Sequence, residues 1–128
     1  MLLAGMSPDE LRRLCLSMPA AAEEFPFGAE VSVFKVEGRM FALSRLDAEP
    51  LQVSVKCEPA LAEQLRLTYP AIRPGYHLNK RHWNTITFDG SLEDRLVHDM
   101  VEDSWDLVVD KLPVAKREVL RARTGASQ

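Results

Sequence analysis

The sequence predicts a single α+β domain in which an antiparallel sheet carries its helices on one face. Three observations lead to this class. Three β-patterned runs follow one another between residues 31 and 56 with short connections, which favours neighbouring antiparallel strands. Amphipathic helical patterns lie on either side of the sheet-forming region, one near the N-terminus and a longer one after residue 91. The chain has 128 residues, 46% of them hydrophobic, which suffices for one core, and no repeat, linker or low-complexity run divides it.

Residues 1–6 read as a disordered extension, with the folded domain expected over 7–113. Ser7-Pro8-Asp9-Glu10 opens the first helix with a serine cap, proline in the first helical position and a glutamate placed to return the capping bond. Leu11, Leu14, Cys15 and Met18 then recur at helical spacing until Pro19. After the punctuation Phe25-Pro26-Phe27-Gly28, residues 31–36 are rich in β-branched side chains, and Glu37-Gly38 forms a two-residue turn into a strand over 39–45. Residues 51–56 alternate: Leu51, Val53 and Val55 point one way, Gln52, Ser54 and Lys56 the other, as when one sheet face packs and the other meets water.

Pro59 begins a short helix carrying Leu61, Ala62 and Leu65, closed at Tyr69-Pro70 because the residue before proline is pushed out of helical geometry. Residues 82–88 read as a further strand, with Ile86 and Phe88 on one face and Trp83, Thr85 and Thr87 on the other. Ser91 is expected to cap the last long helix, with Glu93 and Asp94 in its first turn. That helix buries Leu92, Leu96, Val97, Met100, Val101, Trp105, Val108 and Leu112, while Asp99, Glu102, Asp103, Asp106 and Asp110 make a solvated side. Residues 114–128 form a basic, polar tail that is expected to fray.

A formal charge of −3 excludes a protein that coats nucleic acid or anionic membrane through its overall field, so any such partner must meet a local patch. Cys15 and Cys57 are too few for a disulfide framework and read as reduced, buried thiols of a cytoplasmic protein. Residues 1–5 carry neither a cationic leader nor a long apolar stretch, which again favours a cytoplasmic protein and no membrane partner.

The densest concentration of chemistry is the segment 74–84, where Tyr76, His77, Asn79, Lys80, Arg81, His82, Trp83 and Asn84 crowd together without an acid. Together with Pro26-Phe27-Gly28, Gly38 and Met40-Phe41-Ala42, Lys56-Cys57 with Pro59, and Ser104-Trp105-Asp106-Leu107-Val108, this run resembles the MmcQ/YjbR family from the first helix to about Leu112. Trp105 stands where tyrosine is usual in that family, and Arg39 where lysine is common. The resemblance implies the order helix, three strands, helix, two strands, helix, in a fold similar to secretion chaperones and, more loosely, to CyaY. It adds one strand to the pattern reading, near residues 72–76, where Pro74 and Gly75 weaken the local signal. Members of the family are commonly labelled DNA-binding, with no established reaction.

The leading functional expectation is non-enzymatic nucleic-acid binding on the open sheet face. Lys56, Arg73, Lys80 and Arg81 would meet phosphates, Tyr76 and Trp83 would stack, and Asn79 and Asn84 would read base edges. The alternative is a small phosphate- or carboxylate-bearing ligand in a cleft lined by His77, Asn79, Lys80 and His82. A protein-interaction module is the third class. No catalytic set is assigned, because neither histidine has a well-placed carboxylate to orient it, and no cofactor or metal is expected, since His77 and His82 lack a convincing third ligand. Ser104 interrupts the apolar stripe of the last helix. It either packs closely against the sheet, with its hydroxyl bonded back to a helical carbonyl, or supports the segment through His77 or Asn79.

Overall fold

Ten elements run in the order α1 (Pro8–Leu16), β1 (Ala21–Glu24), β2 (Ser32–Val36), β3 (Arg39–Ser44), β4 (Gln52–Lys56), α2 (Pro59–Thr68), β5 (Ile72–Pro74), β6 (Trp83–Thr87), α3 (Asp94–Val109) and α4 (Val114–Ala126). The structure is a computed structural model that describes residues 6–126, with side chains through Arg123. Its strands form one sheet in the order β1-β2-β3-β4-β6-β5, and every neighbouring pair is antiparallel. The α+β class and the antiparallel sheet are therefore as the sequence predicts.

Local chemistry explains most boundaries. Ser7 Oγ accepts the Glu10 N–H at 3.1 Å, and Glu10 Oε1 accepts the Ser7 N–H at 2.9 Å, so the predicted reciprocal cap forms. Glu37 and Gly38 have φ of 50° and 75°, the pair of positive values a tight hairpin turn needs, and Val36 pairs with Arg39 across it. Between Phe34 and Lys35 the register slips, so that Phe34 faces Ala42 and Lys35 faces Met40. Phe41 is the extra residue of this bulge, which turns its ring into the core beside Ala42.

The core gathers Leu11 and Cys15 of α1, Val101 and Val108 of α3, and Phe34, Val53 and Ile86 of the sheet. Alternation from Val53 and Ile86 puts Val55 and Asn84 on that same face, and Asn84 touches α2 through Ala62 and Arg66. All four helices thus lie on one side. On the other, Val33, Leu43, Ser54 and Thr85 stand in one cross-strand row. That face is drier than its alternation predicts: Ser54 and Thr85 are buried, and their hydroxyls satisfy each other at 2.8 Å.

Four expectations need correction. Ala21-Ala22-Glu23-Glu24 forms an unexpected edge strand, because its backbone pairs with β2 and Glu23 is held by Arg12 at 2.7 Å and by Ser32 at 2.8 Å. Ser91 does not cap α3; it bonds to Asp89, and the helix starts at Asp94 behind Glu93. The segment 114–126, expected to fray, is helix α4, with Leu120 buried in the core, Lys116 paired with Glu37 at 2.9 Å and Arg121 with Asp110 at 2.8 Å. Met6, assigned to the extension, is buried in the core, whereas the rest of that extension, 1–5, and residues 127–128 lie outside the described residues. Among the described residues no helix is long and apolar enough to cross a membrane.

Candidate functional site

The site begins where β3 and β4 part. Their pairing covers Ala42 with Val55 and Leu43 with Ser54; one step further Phe41 would face Lys56, but the ladder stops. Ser104 of α3 fills the gap, its hydroxyl accepting the Lys56 N–H at 2.8 Å and donating to the Phe41 carbonyl at 2.6 Å. Ser104 packs closely against the sheet as one reading expects, but its hydroxyl bonds neither to its own helix nor to His77 or Asn79. It joins helix to sheet at the base of the site. The next residue, Cys57, donates its N–H to the His82 carbonyl at 2.7 Å, tying the end of β4 to the start of β6.

The connection from β5 to β6 is held from several sides. Arg66 of α2 donates Nε to Asn84 Oδ1 at 2.7 Å and Nη2 to the carbonyls of Lys80 and, at 3.3 Å, Trp83. Within the loop, Lys80 Nζ donates to the Gly75 carbonyl at 3.0 Å, and Asn79 Oδ1 accepts the Arg81 N–H at 2.9 Å. The Tyr76 N–H reaches Thr85 Oγ1 at 3.2 Å. Gly75 packs directly on Trp83, so that a Cβ there would come within 2.7 Å of the tryptophan Cβ. His77 adopts a φ of 59°, a left-handed conformation uncommon outside glycine though histidine enters it more readily than most, and its ring tilts against Tyr76 with centroids 4.0 Å apart.

Behind this loop lies a cleft of about 540 Å³ between the loop, the start of α2 and the end of α3. Lys56, Asn79, His82, Trp83 and Lys111 line it, together with one acid, Glu58, and the apolar Pro59, Cys57 and Leu107. Among the described residues the ammonium groups of Lys56 and Lys111, the Asn79 amide nitrogen and the His82 ring have no hydrogen-bond or ion-pair partner. Burial pushes the Cys57 thiol up, and the field of Asp103 adds to it, so the thiol keeps its proton at neutral pH. No group of three or more His, Cys, Asp or Glu side chains that could hold a metal is found among the described residues.

The predicted residues therefore divide. Lys56, Asn79, His82 and Trp83 meet in the cleft. Arg73, Tyr76, His77 and Arg81 are exposed outside it, Tyr76 at 70%. Lys80 is exposed but bonds its ammonium within the loop, so the four-residue cleft of His77, Asn79, Lys80 and His82 does not form as expected. Asn84 cannot read a base, being 0% exposed with both side-chain polar atoms hydrogen-bonded. Trp83 is only 9% exposed and offers no open stacking face. Sequence reasoning missed Arg66 on α2 and Lys111 in the turn after α3; each is a lone cation remote in sequence, with no local signal of its part.

The sequence and the fold have relatives among known proteins. The family model YjbR matches residues 16–107. The protein YbdF of Escherichia coli O157:H7 is 40% identical over 118 residues, covering 91% of this chain and 94% of its own. YjbR of Escherichia coli K12 is 36% identical over 115 residues, covering 90% and 98%. Among solved structures, the Deinococcus radiodurans protein DR2400, of family-model domain DUF419, superposes with a TM-score of 0.85 at 39% identity, covering 94% of this chain and 91% of that one. A Pseudomonas syringae protein at 24% identity and a TM-score of 0.69 shares the fold, with 80% and 98% covered. Since the family match runs through the sheet, the β5–β6 loop and Ser104, and full-length relatives agree with it, this chain belongs to the YjbR family.

Proposed function

We propose that this protein binds a small anionic ligand in the cleft between the β5–β6 loop, α2 and α3, without transforming it. The observation that carries this reading is the convergence of donors without protein partners, from Lys56, Lys111, Asn79 and His82, against the single acid Glu58. Charged donors left unpaired inside a concave site are the usual recognition elements for phosphate or carboxylate. Chemistry is not supported: the Cys57 thiol is held protonated, and no described carboxylate is hydrogen-bonded to the His82 ring to orient it as a base.

Calorimetric titration with benzoate, phenyl phosphate and inorganic phosphate tests the reading. At least one of these is expected to bind with a Kd of about 1 mM or tighter. Lys56→Gln and Lys111→Gln are each expected to weaken it by about tenfold, the loss of one charge-assisted hydrogen bond. A single-stranded oligonucleotide of about twelve residues is the counter-probe. If it binds more tightly than every small anion, and loses affinity with Arg73→Ala and Arg81→Ala but not with Lys111→Gln, the exposed loop is a nucleic-acid surface and the cleft reading is overturned.

A further inference from the structure

We infer that the ligand of this cleft is an amphiphilic organic anion that enters apolar end first and keeps its charged head, carboxylate or phosphate, at the rim; this rests on the anion-binding reading above. The observation behind it is a gradient of polarity with depth. Of the residues that line the cleft, Cys57 is buried at 6% exposure, and Leu107 and Pro59 are half-buried. Lys111, Asn79 and Glu58 are exposed. The inner wall is apolar and the rim is charged or polar.

The backbone fixes which side of each element meets the cleft. Along α3 and the turn after it, Ser104, Leu107 and Lys111 follow at intervals of three and four residues, so they stand on one face. Ser104 marks where that face points, since its hydroxyl holds the Lys56 N–H at the base of the site. Leu107 is the next step outward and Lys111 the last. The Cys57 thiol feels the charges of Asp103 on α3 and Arg66 on α2, which places it between the two helices. Neither Cys57 nor Leu107 belongs to the hydrophobic core or to the side chains packed against it. Their apolar surface is therefore left for an occupant, and covering it is favourable in proportion to its area. The volume of about 540 Å³ lies within the usual 300–1,000 Å³ or so of small-molecule sites, and an inorganic anion at Lys111 would leave the inner wall bare. The excess of Lys56 and Lys111 over Glu58 sets the sign of the head.

The test is calorimetry on the full chain with butanoate, hexanoate and octanoate, with 1-hexanol as the uncharged control, and with phenyl phosphate beside inorganic phosphate. Affinity is expected to rise by about twofold to threefold per methylene, so that octanoate binds at least about tenfold more tightly than butanoate. Phenyl phosphate is expected to exceed inorganic phosphate by about tenfold as well. Leu107→Asn is expected to cut the octanoate-to-butanoate ratio to about threefold or less. Lys111→Gln is expected to weaken both acids by about tenfold and leave their ratio as it was. A flat series in the native protein, with the acids still bound, would overturn the apolar-first inference and leave anion binding standing. A ratio that survives Leu107→Asn but collapses in Lys111→Gln would put the apolar body at the rim and overturn the orientation. If 1-hexanol binds as tightly as hexanoate, the anion reading fails and this inference with it; binding by none of the probes removes both.

Discussion

Ser104 and Lys56 are joined across the gap between α3 and the sheet, the serine hydroxyl accepting a hydrogen bond from the lysine backbone N–H at 2.8 Å and donating one to the Phe41 carbonyl at 2.6 Å. One small side chain thereby completes a ladder rung that β3 and β4 do not make themselves. The parting of the strands carries Lys56 to the rim of the cleft and leads the chain into Cys57 and α2.

Ser104→Ala leaves a buried N–H and a buried carbonyl without partners. Each unsatisfied group costs about 1–3 kcal/mol, so the variant is expected to lose about 2–4 kcal/mol of unfolding free energy in urea. Unchanged stability would mean that Phe41 and Lys56 close the rung directly, and that the serine only spaces them.

Arg66 organises the loop in a comparable way. Its guanidinium serves one side-chain and two backbone oxygens of the 80–84 stretch, a fork that the single ammonium of lysine does not reproduce. Arg66→Lys is therefore expected to cost about 1–3 kcal/mol, with Asn84 Oδ1 left buried and unpaired. Amide hydrogen exchange at Arg81 and His82 should accelerate, while that of β2 and β3 stays as it was. Equal acceleration throughout the sheet would show a global loss of stability in place of a local release.

These two residues mark the boundary of what the sequence reveals. The α1 cap, the Glu37-Gly38 turn and the alternation of β4 are legible because each is decided by neighbours in the chain. Strand β1 is not, since Ala21-Ala22-Glu23-Glu24 has little intrinsic strand preference and is ordered by pairing with β2. In the segment 74–84 the residue types point to a binding region, but sequence does not tell which polar groups the fold itself consumes. Lys80 is taken by Gly75 and Asn84 by Arg66. The cations that reach the cleft include Lys111, contributed by the turn after α3, outside the marked segment.

Helix α4 gives a direct test of how far the domain extends. Its polar, basic sequence suggests a tail, yet Leu120 is buried with the core and the helix pairs with both Glu37 and Asp110. Leu120→Ala is expected to cost about 2–4 kcal/mol, the range for a buried leucine that leaves a partly collapsible cavity. Truncation before Val114 should cost at least as much in the same urea titration. A truncation that left stability unchanged would return 114–126 to the status of a tail.

Cys15 supplies a pH dependence whose sign can be worked out. Burial, assisted by the nearby Glu23 charge, pushes its thiol up to about 12 from an ordinary 9.0. Between those values the unfolded chain releases the proton while the folded chain keeps it, so the folded state binds more protons and stability falls as pH rises. The slope from this group approaches about 1.4 kcal/mol per pH unit once the unfolded thiol is ionised. Lysines and tyrosines also titrate there, so the measurement is the difference between the native protein and Cys15→Ala, each unfolded in urea from about pH 8 to about pH 10.5. The variant begins less stable through its lost packing, and the gap is expected to narrow as pH rises. A gap constant across that range would mean that the thiol titrates alike in both states, and that Glu23 and the core leave it an ordinary cysteine.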